Sequence, residues 1–474
     1  MEAPNDQEHL VNCLTSQGIA IRGNCLRLAR NEVAFEIYNP NAVLHLSEVL
    51  SDFRVCIKEH SLYAGRAVIR SLIQTGLVLV CEVTLEDQWH ELDGGLASAR
   101  PAEVAEAFQQ FLKGWRTLST VLPEFKVIVG DLYSFLTDLR LWLEQAELIL
   151  RSSPDGSRAE REHEVMESLR PHFISSFNAL HERFEEISGR IEPAHRTAHQ
   201  NYARRVLHSC FLCSPFGFRA FQKPLGYAGD YEMVNMITRD PYEGASLFAK
   251  AMNAWLLYQY PSVAHRNRLA YLRQCLEAES LRIHTRNGSA RILSVGCGPA
   301  YELQRFIQES PLAERSEATL VDFNEETLDF AREAVELSKR QARRQCAITY
   351  QKKSVLQLIK ESARIIADES VRKYDLIYCA GLFDYLTDRT CKQLTGVFFN
   401  NLAPGGVIVV TNVHDSKPFR HMLEFLLDWH LIYRDRTGLL ALAPEQVQAE
   451  QCRIHQEATS TNLFLEVRRP EVRA

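Results

Sequence analysis

The chain has 474 residues, 46% of them hydrophobic and 24% charged, which suggests about two to four globular domains and excludes wholesale disorder. Its 54 Lys and Arg residues against 60 Asp and Glu residues give a net charge of −6, which argues against a dedicated nucleic-acid binder. The start of the chain lacks the basic and apolar regions of a signal peptide, and no run of about 18 apolar residues predicts a membrane span. We therefore expect a cytoplasmic protein without integral membrane association, whose 12 cysteines are reduced and mostly buried.

Residues 1–100 alternate apolar and polar side chains in short runs, a pattern that predicts β-strands. The predicted strands lie at 24–28, 32–37, 54–58, 65–69 and 77–83, and the predicted turns lie at 39–41, 63–65 and 75–76. Several short strands at regular spacing are typical of a small barrel. The stretch resembles a PilZ-like β-barrel.

Members of that family that bind cyclic di-GMP carry an Arg-x-x-x-Arg pair before the barrel and an Asp/Asn-x-Ser-x-x-Gly motif within it. Arg22, Arg27 and Arg30 do not fall at the first spacing, and residues 61–65 lack the leading Asp or Asn. We therefore expect a degenerate barrel that does not bind the nucleotide.

Residues 101–285 have helical periodicity, and we expect a helical domain there. Two apolar faces are formed by Val104, Phe108, Phe111, Leu112 and Trp115, and by Leu132, Phe135, Leu136, Leu139 and Leu143. Residues 152–157 predict a linker, and residues 214–217 are expected to stop a helix that reaches Cys213.

His195, His199, Cys210 and Cys213 are side chains of the types that bind zinc. Their spacing matches no common zinc module, and residues 200–209 read as continuous helix. We therefore favour packed thiols and histidines on the helix surface, and we expect no metal.

From residue 286 to residue 474, apolar strand-like runs alternate with helical stretches, which predicts an α/β sheet. The run 291–295 leads into Gly296 and Gly298, where glycines permit close approach of the backbone to a cofactor. The run 318–322 ends in Asp322, whose carboxylate is placed to accept hydrogen bonds from both ribose hydroxyls of an adenosine-containing cofactor. Further strands are expected at 347–350, 373–379 and 407–411.

This order of elements resembles the class I S-adenosylmethionine (SAM)-dependent methyltransferases over residues 291–468. An NAD-binding fold is the main competitor, but the Gly-x-Gly-x-Ala turn and the Leu-Ala-Pro-Gly-Gly at 402–406 favour the methyltransferase. The fold class is then α/β, with a Rossmann-like class I methyltransferase domain preceded by a helical domain and an N-terminal PilZ-like barrel.

The resemblance implies SAM as the cofactor. It assigns the cofactor pocket to Gly296, Gly298, Ala300, Glu302, Asp322, Phe323, Ser354, Val355, Ala380 and Gly381. Ala300 stands where a third glycine is usual, and Ser294 stands where an acidic residue often precedes the first glycine. Glu302 is the candidate to contact the methionine amino group in place of that acid.

Residues 216–233 are rich in glycine and aromatic side chains, and they predict either an interdomain turn or a lid over the SAM site. If Tyr227 and Tyr231 both lie in the first turn of a helix, they share one face. Arg266 either lies on a solvated helix face or pairs with a carboxylate of the cofactor or substrate.

Five segments together resemble one bacterial methyltransferase family, which includes proteins assigned to making 3-hydroxypalmitic acid methyl ester, a quorum-sensing signal. They are 223–233, 264–268, 378–386, 411–414 and 427–434. The resemblance implies methyl transfer to the carboxylate of a 3-hydroxy fatty acid, a small-molecule acceptor. The catalytic candidates are Tyr227, Tyr231, Asp384, Tyr385 and His414, and the substrate-binding candidates are Asp230, Arg266 and His430.

A carboxylate acceptor is already a nucleophile at neutral pH, so the protein must align the reacting atoms and exclude water. A hydroxyl or amine acceptor would need a base, and His414 and His430 are the available imidazoles. Two other functions stay open. One is cyclisation of SAM to azetidine-2-carboxylate, and the other is a regulatory protein that binds SAM without turnover; a homodimer also stays open.

Overall fold

The computed structural model describes residues 9–29, 31–37, 44–57, 60–74, 79–86, 105, 106, 108, 109, 112, 121–152, 157–365, 373–417 and 419–471. The turns predicted at 39–41 and 75–76, most of the first predicted apolar helix face and the centre of the predicted linker lie outside these residues. The packing divides the chain into two compact units. The first comprises Met1–Gln222, Pro241–Leu256 and His421–Trp429, and the second comprises Lys223–Asp240, Leu257–Arg420 and His430–Ala474.

Six antiparallel strands of the first unit form a closed barrel, as the alternating pattern predicts, although the strand at residues 9–14 was not predicted. They are β1 (His9–Leu14), β2 (Ala20–Leu28), β3 (Glu32–Ile37), β4 (Val49–Ile57), β5 (His60–Gln74) and β6 (Leu79–Leu85), in the order β1-β2-β3-β6-β5-β4. Val11, Phe35 and Phe53 are fully buried in its core. Its likeness to PilZ domains stays a prediction.

The turn predicted at 63–65 is wrong, because these residues lie inside β5. Tyr63 pairs with Val55 and Gly65 pairs with Phe53 across the β4–β5 ladder. The buried Tyr63 hydroxyl donates to Arg66 O at 2.6 Å, within the same strand. Gly65 has no positive φ, so its backbone has the extended conformation of a strand residue and not one that requires glycine.

The helices of the first unit bury an aromatic core. They are Pro123–Ser152, Arg158–Gly189, Arg196–Phe211, Pro215–Gln222, most of Leu247–Tyr258, and Arg420–Leu426 from residue 421 onward. Leu132, Leu136 and Leu143 of the predicted apolar face are buried, as expected. Trp255 is fully buried, and its indole N–H donates to Asn178 Oδ1 at 2.9 Å.

Residues 214–217 do not act as a simple break. The preceding helix ends at Phe211, but Pro215 then opens a new helix, Pro215–Gln222. Proline is tolerated in the first turn of a helix because its missing N–H would have no helical partner there. The Ser214 hydroxyl accepts a hydrogen bond from Gly217 N at 3.1 Å and donates to Asn253 Oδ1 at 2.9 Å.

His199 is fully buried, so its assignment to the helix surface is wrong. Its Nε2 accepts a hydrogen bond from Leu122 N at 3.0 Å, which leaves Nδ1 to donate to His195 O at 2.7 Å. The buried Cys213 thiol donates to Cys210 O at 3.1 Å. Both ring nitrogens of His199 are therefore engaged within the protein. In the part of the chain that the structure describes, no group of three or more His, Cys, Asp or Glu side chains is arranged to hold a metal ion.

The second unit is built on a seven-stranded sheet. Its strands are β7 (Ala290–Val295), β8 (Ser316–Asp322), β9 (Ala347–Lys352), β10 (Tyr374–Cys379), β11 (Leu402–Val413), β12 (Cys452–Gln456) and β13 (Asn462–Arg468), in the order β12-β13-β11-β10-β7-β8-β9. β7 to β11 are parallel, and β13 is antiparallel to both of its neighbours. The five predicted strands are confirmed, whereas β12 and β13 were missed.

Helices cover both faces of this sheet, which makes the unit Rossmann-like α/β, as predicted. One face packs against Tyr260–His284, Tyr301–Glu309 and Glu325–Ala342, and the other packs against Val355–Ile365 and Asp388–Asn400. Neighbouring residues of a strand point to opposite faces, so Ile292 and Leu293 join different cores. Tyr260–His284 belongs to this unit, although the sequence analysis grouped it with the helical domain; how many domains fold independently stays a prediction. Among the described helices, none combines the length and the apolar character needed to cross a bilayer.

The segment His421–Trp429 is held in the first unit by buried polar contacts. The two oxygens of Glu185 accept hydrogen bonds from His421 N at 3.0 Å and from Met422 N at 2.6 Å. Arg204 Nε donates to Phe425 O at 2.7 Å. These bonds satisfy backbone groups that a seven-residue helix leaves without partners at its ends.

We expect Glu185→Ala to lower the free energy of unfolding by about 1–3 kcal/mol, because it leaves buried N–H groups without an acceptor. Glu186→Ala is the matched control, since its side chain is 63% exposed and forms a surface ion pair with Arg190. That variant should cost under about 1 kcal/mol. Urea unfolding followed by tryptophan fluorescence measures both, and equal losses would contradict this assignment.

Candidate functional site

In the sheet of the second unit, the direction in which the chain adds new strands reverses at β7. The chain passes from β7 to β8 and β9 on one side, and then to β10 and β11 on the other. In open α/β sheets, ligands bind in the crevice that such a reversal opens at the carboxyl ends of the strands. The turns that follow β7 and β10 line this crevice, and they carry Gly296, Gly298, Ala380 and Gly381.

The turn after β7 is held by β8 and exposes its backbone. Gly296 and Gly298 have φ values of 67° and 51°, which favour glycine. The N–H groups of Gly296 and Cys297 donate to Val321 O at 2.8 and 3.1 Å. A Cβ atom at Gly298 would meet no atom within 4 Å, so a ligand has room to approach the backbone there.

Ala300 also adopts the left-handed conformation, with φ 53° and ψ 43°, at the start of helix Tyr301–Glu309. An alanine in that region costs about 1–2 kcal/mol relative to a right-handed one. A third glycine is expected at this position in related proteins, and the left-handed backbone explains why. Ala300 is fully buried.

Asp322 stands at the carboxyl end of β8 and is 6% exposed. Its Oδ2 accepts a hydrogen bond from Gly298 N at 3.3 Å, and its Oδ1 accepts one from Asn324 N at 3.1 Å. Burial raises the pKa of Asp322, and these N–H donors oppose the rise. Each oxygen keeps capacity for a further donor, such as a ribose hydroxyl. The neighbouring Phe323 is half exposed.

The expectation that Tyr227 and Tyr231 share a helix face is wrong. Helix Tyr231–Thr238 begins at Tyr231, and the buried Asp230 caps it by accepting from Met233 N at 3.0 Å. Tyr227 lies in the preceding turn, where Gly226 has a φ of 88° that breaks helical geometry.

Both tyrosines nevertheless pack beside the strand that ends in Asp322. The Tyr227 ring lies 5.4 Å from the Phe323 ring, and the Tyr231 ring lies 4.9 Å from that of Phe330. The Tyr231 hydroxyl donates to Glu326 at 2.8 Å. Burial and the nearby charge of Asp322 raise the pKa of Tyr227, so its phenol keeps its proton at neutral pH.

Arg266 is partly buried, so its placement on a solvated helix face is wrong, whereas its pairing with a carboxylate of the cofactor or substrate stays a prediction. Its guanidinium donates to Ile237 O at 3.1 Å and to Leu257 O at 2.9 Å. It therefore joins backbone segments of the second unit.

Arg268 is the functional candidate that the sequence analysis missed. It is 8% exposed, and its Nη2 lies 2.8 Å from His265 Nδ1. A Cβ atom at Gly381 would lie 3.2 Å from the same guanidinium, which places Arg268 beside the crevice. The signal was present, because Arg268 falls at the four-residue spacing of the buried Ala264, Leu272 and Leu276.

A further buried polar group lies on the helix that follows the turn after β7. Glu302 is 5% exposed and accepts a hydrogen bond from the Tyr378 hydroxyl at 2.8 Å. Burial raises the pKa of Glu302, and the Tyr378 bond and the Arg268 charge oppose the rise. Ser294, in the position where an acid is usual, lies buried beside Tyr378.

The turn after β10 carries Asp384 and Tyr385. Asp384 is 4% exposed, and its Oδ1 accepts from Val413 N at 2.7 Å. Burial raises its pKa to about 6, against the opposing charge of Arg268. Tyr385 is 38% exposed.

The remaining predicted residues lie at the same edge of the sheet or on the surface. Ser354 follows β9, where its N–H donates to Gln357 Oε1 at 2.8 Å, and Val355 begins the next helix. His414 follows β11, and its backbone N–H donates to Thr461 O at 2.7 Å. His430 is exposed.

The residues present fit SAM. The open backbone at Gly298, the carboxylate of Asp322 and the half-exposed ring of Phe323 lie together and suit an adenosine. Glu302 and Arg268 add one buried carboxyl group and one buried guanidinium group beside β7, where the strand order reverses.

Comparison with known proteins agrees with this geometry, because residues 293–408 match the profile of a methyltransferase domain. This part of the chain is a methyltransferase domain. The match covers about a quarter of the chain, and a SAM-dependent methyltransferase is the activity that it supports.

Several solved structures are similar to the chain at low identity. A possible exported protein from Bordetella parapertussis is 18% identical, covering 64% of this chain and 97% of its own, with a TM-score of 0.41. The N-methyltransferase NodS from Bradyrhizobium japonicum, solved with S-adenosylhomocysteine (SAH), is 17% identical, covering 53% and 100%, with a TM-score of 0.29. Magnesium protoporphyrin IX methyltransferase from Synechocystis PCC 6803 is 10% identical, covering 57% and 99%, with a TM-score of 0.33. Among curated sequences, none matches this chain.

We expect Asp322→Ala to abolish SAM binding in titration calorimetry, because it removes the ribose acceptor and the partner of Gly298 N. Glu325→Ala is the control on the following helix, since Glu325 is exposed and pairs with Lys352. It should bind SAM normally. Unaltered affinity in Asp322→Ala would show that the adenosine does not bind at the end of β8.

Proposed function

We propose that this methyltransferase transfers the methyl group of SAM to the carboxylate of a 3-hydroxy fatty acid and forms a methyl ester signal. The likeness of residues 223–233, 264–268, 378–386, 411–414 and 427–434 to one bacterial family supports the acceptor class. The match of residues 293–408 to a methyltransferase domain supports methyl transfer as the general reaction.

The observation that carries the choice of acceptor is that the acidic and phenolic candidates are already engaged. Asp384 accepts from Val413 N, and Asp230 caps a helix through Met233 N. Tyr227 keeps its proton, because burial raises its pKa. A hydroxyl or amine acceptor would need a general base, and the protonated Tyr227 phenol does not supply one at neutral pH. A fatty acid is ionised at neutral pH and brings its own nucleophile.

When bound, SAM supplies a methyl group on a positively charged sulfur. A carboxylate oxygen of the acceptor forms the new C–O bond as the C–S bond breaks. The electron pair of the broken bond goes to sulfur, so a neutral ester and the neutral thioether SAH result.

The protein aligns the reactants and keeps water out. Arg434 donates to Phe383 O at 2.8 Å and to Leu386 O at 2.6 Å, which fixes the turn that carries Asp384 and Tyr385. The ring of Tyr227 packs against that of Phe323, with ring centroids 5.4 Å apart. We propose that the segment around Tyr227 forms a lid over the bound cofactor.

The test is to incubate the full-length protein with SAM and a panel of 3-hydroxy fatty acids, followed by mass spectrometry. We expect the methyl ester and SAH in equal amounts. The control acceptor is the matching 3-hydroxy fatty amide, which keeps the hydroxyl and lacks the carboxylate, and it should not react. Methylation of that amide would contradict the proposal. So would methylthioadenosine formed from SAM alone, which would indicate cyclisation of the cofactor.

A further inference from the structure

A pocket of about 220 Å³ opens in the helical part of the first unit, and we call it the helix pocket. Its walls are helices Pro123–Ser152 and Arg158–Gly189, and Ala251 of a third helix also lines it. Every described lining residue belongs to the first unit, and none is among the residues predicted for cofactor binding, substrate binding or catalysis. Methyl transfer therefore gives this pocket no function.

The interior of the helix pocket is apolar. Leu143, Met166 and Ala251 are no more than 2% exposed, and Phe173 is 9% exposed. The Phe173 ring stacks on that of Phe177, with the centroids 5.8 Å apart. An apolar cavity of about 150 Å³ stays dry and binds benzene, so a pocket of this size suits a hydrocarbon group of roughly eight or nine carbons.

The rim of the helix pocket is polar and carries positive charge. Arg170, His172 and Ser176 line it, and no acidic side chain is among the lining residues that the structure describes. His172 and Ser176 are exposed, and the Arg170 side chain is 33% exposed. Arg170 Nη2 lies 2.9 Å from Glu167 Oε2. A guanidinium has several N–H donors, so this ion pair does not prevent Arg170 from donating to a ligand as well.

Two unfavourable features of the helices coincide at this pocket. Trp142 lines it and is 49% exposed, so a large apolar side chain faces water. Pro171 lies inside helix Arg158–Gly189, between two residues that line the pocket. It has no N–H to donate to Glu167 O, one helical turn earlier. Departures of this kind from the local rules of folding are expected at functional sites, and a ligand beside Trp142 would remove apolar surface from water.

We infer that the helix pocket binds a free medium-chain carboxylate, with its hydrocarbon chain in the apolar interior and its carboxylate on Arg170. The size of the interior sets the length of the chain, and the positive rim sets the charge of the head group. A guanidinium forms strong charge-assisted hydrogen bonds with a carboxylate. The inference goes beyond the proposed methyl transfer, because it rests neither on SAM nor on the methyl acceptor.

The experiment is titration calorimetry of the full-length protein with straight-chain carboxylates from butanoate to dodecanoate. Each buried methylene group lowers Kd by roughly fourfold. We expect the affinity to rise by about that factor per carbon and to level off at roughly eight or nine carbons. Octanamide, which has no charge, should bind at least about tenfold more weakly than octanoate. Affinity independent of chain length, or equal binding of octanoate and octanamide, would overturn the inference.

Two variants test the two ends of the ligand. Arg170→Gln should weaken octanoate binding by at least about tenfold and leave octanamide binding unchanged, because only the charge on the head group is lost. Ala251→Leu should weaken both ligands, because it fills the interior. Arg183→Gln is the matched control on the same helix, since Arg183 is 55% exposed and pairs with Asp131, and it should bind both ligands normally. Equal effects of Arg170→Gln and Arg183→Gln would contradict the assignment of Arg170.

Two further measurements separate the helix pocket from the methyl-transfer site. Asp322→Ala should bind octanoate with unchanged affinity, since Asp322 lies in the second unit. Arg170→Gln should keep the kcat and KM of methyl transfer. A raised KM for the methyl acceptor in Arg170→Gln would assign the pocket to that acceptor and would overturn a separate site. Failure of the fatty-acid methylation assay leaves the binding test intact.

Discussion

The pairing of β7 with both β8 and β10 is the constraint on which the site depends. Because β7 bonds to β8 on one side and β10 on the other, two loops leave the sheet in different directions and a crevice opens between them. The bonds from Gly296 N and Cys297 N to Val321 O then hold the glycine turn against β8. The position of Asp322 relative to Gly298 follows from these bonds.

The site also contains several charged side chains that are buried. Glu302, Arg268 and Asp384 are each less than a tenth exposed, in a unit whose surface offers many exposed ion pairs. Exposed pairs contribute little to stability, whereas buried charges are retained at a cost. Their concentration at the carboxyl edge of one sheet is typical of a functional site. These buried charges also agree with the net charge of −6, because a small acidic ligand can be bound by a few charged groups in the site and does not need a positively charged surface.

In the sheet of the second unit, strand periodicity and turn residues were enough to predict five of the seven strands. They also predicted the glycine turn after β7 and the position of Asp322 at the end of β8. The strand β12 has only five residues, and β13 contains three consecutive apolar residues in place of strict alternation, so neither stands out from the sequence. Arg266 and Arg268 lie two residues apart on one helix, and only Arg268 falls in line with the buried apolar residues, although Arg266 was the predicted site residue. The conformation of the Tyr227 segment depends on backbone angles, such as the positive φ of Gly226, that no periodicity encodes.

The central claim is that SAM binds where the sheet reverses direction, at the carboxyl ends of β7, β8 and β10. Amide hydrogen exchange of the full chain, with and without SAH, tests it most directly. The account predicts slower exchange in residues 296–301, 322–324 and 380–385, and unchanged exchange in strands β1 to β6. Protection that spares those three segments, or that is confined to the first unit, would contradict it.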